Sequence, residues 1–346
     1  MGAPEIHILS AGSALPGPAV DNAALARRFR MDSLWEQWVD TFIGTRSRHL
    51  AVDLDSGEIG ASLADLGEAA ARTALTRSGL RAADVDVIVM ATATPDSLMP
   101  ATVNVIADRL GVDQVPSYQL QSGCSGAVQA LDLACQILRA GRHRTALVLG
   151  GDVIARFYDL DVDLRSVPPS ELVNFVLFGD GAGAAVLSAD PGPGSVTVRS
   201  VLTRLVGLGR APGATLEWFG PAGHGASRAQ ERPAATEDYK AIERLVPAMS
   251  LEVLHELLDE LEWKGDDVDY LLPPQLSGRM TALIGQRLGV GSSQVSCVDE
   301  TGNVGNGVVF FQLERMLARI SPGERAVVVS IESSKWIKAG LALEAT

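Results

Sequence analysis

A small-residue turn that opens a helix occurs twice in this chain, and no other feature restricts its possible folds so strongly. Residues 120–138, LQSGCSGAVQALDLACQIL, run beside residues 299–317, DETGNVGNGVVFFQLERML, at a constant offset of 179 residues, so Cys124 falls opposite Asn303. Strand-like runs repeat in the same order: DVDVIV at 84–89 parallels DVDYLL at 267–272, and TALVLGG at 145–151 parallels RAVVVSI at 325–331. Three matches in one order point to an internal duplication. Apolar runs alternate with segments of helical period throughout, which is α/β layering. The Pro/Gly stretch ADPGPGSV at 189–196 interrupts that alternation and divides the chain into an N-terminal half, 1–188, carrying Cys124, and a C-terminal half, 189–346, carrying Asn303. In a duplicated fold the equivalent turns converge near a pseudo-twofold axis. That predicts Cys124 and Asn303 in one cleft.

Composition narrows the functional classes. The chain has 346 residues, 47% of them hydrophobic and 21% charged, which suits a packed enzyme. A net charge of −13 opposes nucleic-acid binding, which rests on clustered Lys and Arg. An acidic partner would have to be met by a local patch such as Arg139, Arg142 and Arg144 or Arg27, Arg28 and Arg30, each of which also reads as an ordinary solvated face. The N-terminus lacks a secretory pattern and no apolar run reaches the roughly 20 residues that span a bilayer, so a cytoplasmic protein with no membrane role is expected. The three cysteines fit neither a disulfide framework nor a structural zinc site. No metal, nicotinamide or flavin motif is present, so no cofactor is expected; the glycines of GDGAGAAV at 179–186 read as a turn feeding a core strand.

Cys124 sits between glycines at the predicted start of a helix. Unsatisfied N–H groups and the positive end of the helix dipole favour an anion there, which predicts a thiol shifted toward thiolate. Gly123 and Gly126 let a substrate approach the backbone, and the Cys124 N–H is a candidate oxyanion donor. Together these suit acyl transfer through a covalent thioester. Cys135, in mid-helix, and Cys297, in a predicted strand, read as core residues.

The turn around Cys124, the segment ARFYDLDVDLRSVPPSELVNFVLFGDGAGAAVLSAD at 155–190 and TGNVGNG at 301–307 resemble the signature blocks of β-ketoacyl-acyl carrier protein synthase III. The opening ILSAGSALPGPAVDNAAL and GTRSRHLA at 44–51 are similar to the start of that family. The resemblance implies a thiolase-like duplicated αβαβα five-layered fold, a homodimer, and an acyl-cysteine loaded from acyl carrier protein or coenzyme A. Members condense an acyl group with a malonyl thioester using Cys, His and Asn. Cys124 and Asn303 match two of these. The His normally follows a proline in a motif resembling VPHQ, whereas this chain reads LLPPQ, so Pro274 stands in its place. Proline neither donates nor accepts a proton. Losing one oxyanion-type donor costs about 100- to 1000-fold in rate. The family's C-terminal glycine-rich loop is also replaced, by IESSKWIKAG at 331–340, whose Ser, Lys and Trp are expected to reshape the cavity.

For the donor, the resemblance assigns Trp38 and Arg156 to an adenine sandwich and Arg279 to carrier-protein contact, while a phosphate-side Arg is replaced by Phe42. That tilts the donor toward acyl carrier protein. The first reading is therefore an acyltransferase of specialised metabolism, moving an acyl group through Cys124 to an O or N nucleophile of a small-molecule acceptor. A carbon–carbon condensing enzyme and a non-catalytic partner subunit are the alternatives. A hydroxyl acceptor needs a base, for which His224 in GPAGHGAS is the candidate; His49 and His255 read as structural, and His7 and His143 as near surface turns.

Overall fold

The computed structural model describes residues 3–168, 172–217, 235–291 and 293–346. Ten strands form one sheet, most of them β-branched or alanine-rich: β1 (His7–Ala14), β2 (Val87–Thr92), β3 (Ser117–Gln121), β4 (Thr145–Asp152), β5 (Gly181–Ser188), β6 (Val196–Leu205), β7 (Tyr270–Leu272), β8 (Ser293–Gln294), β9 (Arg325–Glu332) and β10 (Ile337–Ala345). Their spatial order is β8-β7-β9-β10-β6-β1-β5-β4-β2-β3. From the centre outward each side has the same arrangement. β1 lies antiparallel to β5, β5 antiparallel to β4, and β2 and β3 follow in parallel. On the other side β6 lies antiparallel to β10, β10 antiparallel to β9, and β7 and β8 follow in parallel. Only His7↔Thr197 and Ile8↔Val196 pair β1 with β6, so the sheet is two five-stranded halves joined at a seam.

Alternation along the strands separates the layers. Val87, Val89 and Ala91 of β2 and Ala326 and Val328 of β9 share one core with the helices α3 (Gly126–Arg139) and α6 (Val308–Leu317). The intervening residues face outward: Ile88 and Met90 pack with α1 (Leu63–Ser78) and α2 (Thr102–Leu110), and Val327 and Val329 pack with α4 (Tyr239–Leu261) and α5 (Gly278–Leu288). The result is the five-layered thiolase-like fold, with α3 and α6 as its middle layer. Strands buried on both faces read as continuous apolar runs, which is how β2, β4 and β9 look in the sequence.

Glycine makes the middle layer possible. A Cβ on Gly150 of β4 would lie 2.4 Å from the Asn306 carbonyl oxygen and 2.7 Å from the Phe310 ring. The helix start after Asn303 therefore packs directly on the backbone of the N-terminal half.

Candidate active site

β3 ends at Gln121, and residues 122–125 form the turn that enters α3 at Gly126. The turn closes through the Gly126 N–H donating to the Gly123 carbonyl at 2.8 Å. Three side chains bolt it to the C-terminal half. Ser330 donates to the Cys124 carbonyl at 2.8 Å, Asn306 Nδ2 donates to the Ser122 carbonyl at 2.8 Å, and Glu332 receives the Ser122 and Ser125 hydroxyls at 2.9 and 2.7 Å. Asp152, at the end of β4, holds the second turn. Its Oδ2 accepts from the N–H and Nδ2 of Asn306, both at 2.8 Å, while Oδ1 accepts from Thr92, Ala93 and Thr94. The pseudo-equivalent turns are thus cross-linked by hydrogen bonds.

Asn303 is buried and its orientation is fixed. Its Oδ1 accepts from the Gly305 N–H at 3.0 Å, and its backbone is pinned by the Leu177 carbonyl at 2.8 Å. Its side chain hydrogen-bonds the Cys124 sulfur. Cys124 is half-buried and lines a cavity of about 270 Å³. The structure corrects one expectation here. Burial, then the carboxylates of Glu332, Asp152 and Glu237, push the Cys124 thiol up to about 12, and the Asn303 hydrogen bond pulls only partly against them. The thiol lies two residues ahead of α3, and burial together with three nearby carboxylates outweighs the pull of the helix start.

The sequence reading singles out none of those three carboxylates. Glu332 ends β9, where the resemblance predicts glycines. It is buried, holds Ser122, Ser125 and Ser334 by their hydroxyls, and walls the cavity together with Ser333 and Ser334. Lys335 and Trp336, expected to intrude, turn away. Lys335 Nζ donates to the Arg210 carbonyl at 2.6 Å, and buried Trp336 donates to the Ala211 carbonyl at 2.7 Å. Trp336 has φ 63, so the turn keeps a left-handed position normally left to glycine. This stitching holds the loop that enters the short strand Ala214–Leu216, whose partner Ala235–Glu237 brings Glu237 over the cavity.

A second cavity, of about 760 Å³, is lined by Trp38, Phe42, Tyr239, Arg279 and, again, Glu237. The Arg279 guanidinium lies 5.6 Å from the centre of the exposed Phe42 ring. Trp38 and Arg279 are therefore brought together. Arg156 is not among the described residues lining this cavity: its Nε donates to the Val153 carbonyl at 3.1 Å, its Nη2 to the Thr94 carbonyl, and its Nη1 faces Asp96 at 3.5 Å. Pro274 is buried just past β7 and accepts from Thr281 Oγ1 at 3.0 Å. His224 lies outside the described residues. His7 is not at a surface turn; it is buried in β1 and hydrogen-bonds Thr197 at 3.0 Å. Cys135 and Cys297 are fully buried, the latter capping a short helix and not in a strand. Of the arginine clusters, Arg144 pairs with Asp190 and Arg28 with Asp161. No helix is long and apolar enough to cross a membrane, and no group of metal-ligating residues occurs, both among the described residues.

A duplicated five-layered fold with a cysteine on one pseudo-equivalent turn and an asparagine on the other defines the thiolase-like class of enzymes. Comparison with known proteins narrows this further. The family models for 3-oxoacyl-[acyl-carrier-protein] synthase III and for its C-terminal part match residues 118–204 and 258–334, and the N-terminal β-ketoacyl synthase model matches 29–159. The chain is 34% identical over 304 residues to β-ketoacyl-[acyl-carrier-protein] synthase III of Rhodospirillum centenum, covering 86% of this chain and 85% of that one. The same enzyme of Rhodospirillum rubrum is 33% identical over 333 residues, 92% of each chain. This protein belongs to the β-ketoacyl-acyl carrier protein synthase III family. Among solved structures, the tetronic acid condensing enzyme AbyA1 superposes with a TM-score of 0.93 at 66% identity, over 98% of this chain and 99% of that one. The priming β-ketosynthase of the R1128 polyketide pathway superposes at 0.83 with 26% identity, over 99% and 97%.

Proposed function

We propose that this enzyme forms an acyl-Cys124 thioester and transfers the acyl group to the hydroxyl oxygen of an α-hydroxyacyl thioester, as the first bond of a tetronic acid ring in specialised metabolism. The 66% identity to AbyA1 along essentially the whole chain carries this reading. A tetronic acid ring contains one ester bond and one carbon–carbon bond joining two acyl units. Its atoms divide into an α-hydroxyacyl unit, supplying the ring oxygen, and a β-ketoacyl unit, supplying the lactone carbonyl and the carbon beside it.

The balance is simple. Cys124 displaces the carrier thiol from the β-ketoacyl thioester; the acceptor hydroxyl then displaces the Cys124 thiol, forming the ester. The carbon between the two carbonyls loses a proton, attacks the remaining thioester carbonyl and expels the second carrier thiol. No carbon dioxide leaves. Pro274 in place of the histidine agrees with this, because a carbanion made by deprotonation does not need a donor that stabilises a decarboxylation enolate. Asn303 orients and hydrogen-bonds the sulfur.

The donor is read as a carrier protein docking at Arg279, with its arm passing Trp38 in the larger cavity; Phe42 in place of a cation weakens the case for coenzyme A. A homodimer through β3 is favoured by its position at the sheet edge beside exposed Tyr118, Leu98 and Met99. The test is incubation with β-ketoacyl and α-hydroxyacyl carrier thioesters, followed by intact-protein and product mass spectrometry, with Cys124→Ala alongside. The expected result is a Cys124-dependent mass gain and a ring product with no carbon dioxide released. A decarboxylative product from a malonyl thioester, without any ester-linked product, would overturn the reading.

A further inference from the structure

We propose that Glu237 is the general base that takes the acceptor's hydroxyl proton as the oxygen attacks the acyl-Cys124 carbonyl. This rests on the O-acyl transfer reading and assigns the proton that reading leaves without a carrier.

Position is the first argument. Glu237 ends the short strand over Cys124 and lines both the 270 Å³ cavity holding the nucleophile and the 760 Å³ cavity holding Trp38 and Arg279. An acceptor thioester reaching Cys124 from the larger cavity passes this carboxylate. Its backbone is set on both sides: Glu237 pairs with Ala214, and the next residue, Asp238, caps α4 by accepting the Ala241 N–H at 3.0 Å.

Availability is the second. Asp152 is saturated by Thr92, Ala93, Thr94 and Asn306, and Glu332 holds three seryl hydroxyls. Among the described residues Glu237 has no hydrogen-bond or ion-pair partner competing for its oxygens. None of the described histidines lines either cavity.

Proton affinity is the third. Burial raises the Glu237 carboxyl to about 7, where a base is both deprotonated and effective at neutral pH. The groups that face it are Cys124, Asp152 and Glu332 on the nucleophile side, Tyr158 and Tyr239 beside it, and Asp238, Lys240, Glu243 and Arg279 in the larger cavity. The step balances: the C–O bond forms, the hydroxyl proton passes to Glu237, the C–S bond breaks, and the Cys124 sulfur leaves carrying the proton returned by Glu237. A thiol held near 12 is a poor leaving group as thiolate, so returning that proton matters.

The test isolates the transfer half-reaction. Wild-type and Glu237→Gln enzymes are loaded with an excess of β-ketoacyl carrier thioester, freed of donor, and discharged in single turnover with an α-hydroxyacyl thioester or with hydroxylamine, which needs no base. For Glu237→Gln the expected result is a loss of about 100-fold or more toward the hydroxyl acceptor, with hydroxylamine discharge within about twofold of wild type. In wild type the hydroxyl reaction should rise with pH through about 7 and level off, and the variant should lose that inflection. Wild-type rates in the variant, or equal losses toward both nucleophiles, overturn the assignment, as does a variant that cannot be loaded. A wild-type acyl-enzyme that hydroxylamine discharges and the hydroxyl acceptor does not would instead sink the O-transfer reading itself.

Discussion

Replacing Glu332 by Gln should make Cys124 more reactive, against the usual expectation that altering a buried active-site residue slows it. Glu332 is the largest charged contributor to the raised thiol, after burial. Its carboxyl lies beside the Cys124 turn, since a Cβ on Gly123 would sit 3.2 Å from the Glu332 carboxyl carbon. A unit charge about 6–10 Å away in an effective dielectric of about 20 is worth roughly 2–3 kcal/mol, or about 1–2 pH units on the thiol. Glutamine keeps the shape and one oxygen to receive Ser122 and Ser125, so the turn should persist while the charge is lost. The assay is the rate of alkylation of Cys124 by iodoacetamide between pH 6 and 10, read by intact mass, with Cys135 and Cys297 buried and silent. Wild type should react slowly, with a rate that climbs about tenfold per pH unit and no plateau in this range, because the thiolate fraction grows with pH up to a value near 12. The variant should react about 10- to 100-fold faster at every pH below its own thiol value. Equal rates in the two proteins, or a wild-type plateau near pH 7, would refute the reasoning that carboxylates set this thiol.

Asn303→Ala removes the sulfur's hydrogen bond and should lower turnover by about 100- to 1000-fold, as loss of an oriented active-site donor does; because it also leaves the buried Gly305 N–H without its acceptor, it should cost roughly 1–3 kcal/mol in chemical denaturation. Arg279→Glu should raise the KM for carrier-protein thioesters while leaving that for short pantetheine thioesters unaltered, which separates docking from chemistry. Gly150→Ala drives a methyl against the Asn306 carbonyl and the Phe310 ring and should cost about 3 kcal/mol in chemical denaturation, the upper end for overpacking.

What the sequence carried about the fold was its periodicity. Runs such as VIVM, ALVLGG and AVVVSI are buried on both faces, and the turns carrying Cys124 and Asn303 share a spacing that survives in the strand order. The meeting of Cys124 with Asn303 was legible for the same reason, because symmetry brings two turns to one place. Glu237 was not legible: it is brought to the cavity that Cys124 lines through the pairing of two three-residue strands, an assembly too short to leave a periodic signal. Glu332 did leave a sign, a charged residue closing an otherwise apolar strand, yet the eye goes to the bulk of Lys335 and Trp336, which instead brace Arg210 and Ala211. The thiol's protonation state was inverted for a related reason. The helix start is local in sequence, whereas the burial that leads the rise and the three carboxylates that add to it are set by the packing of β4, β9 and the strand before α4.

Those carboxylates also bear on why a site without the family histidine is coherent. Among the described residues, the cavity at Cys124 is lined by Asp152, Glu237 and Glu332 and by no Lys, Arg or His. A malonyl group entering it would bring a further negative charge, at a cost on the order of 2–3 kcal/mol for each carboxylate within about 6–8 Å that remains ionised. A neutral β-ketoacyl group meets no such barrier and still offers an acidic carbon. The field is expected to disfavour a malonyl partner independently of Pro274. Malonyl thioester should accordingly compete with acetoacetyl thioester for Cys124-dependent turnover at least about 100-fold more weakly, and Pro274→His alone should not install malonyl condensation. Adding Glu332→Gln to Pro274→His should relieve part of the repulsion, and measurable carbon dioxide release should first emerge in that double variant. If Pro274→His by itself decarboxylates malonyl thioester at the double variant's rate, the histidine position and not the carboxylate field decides what the cavity accepts.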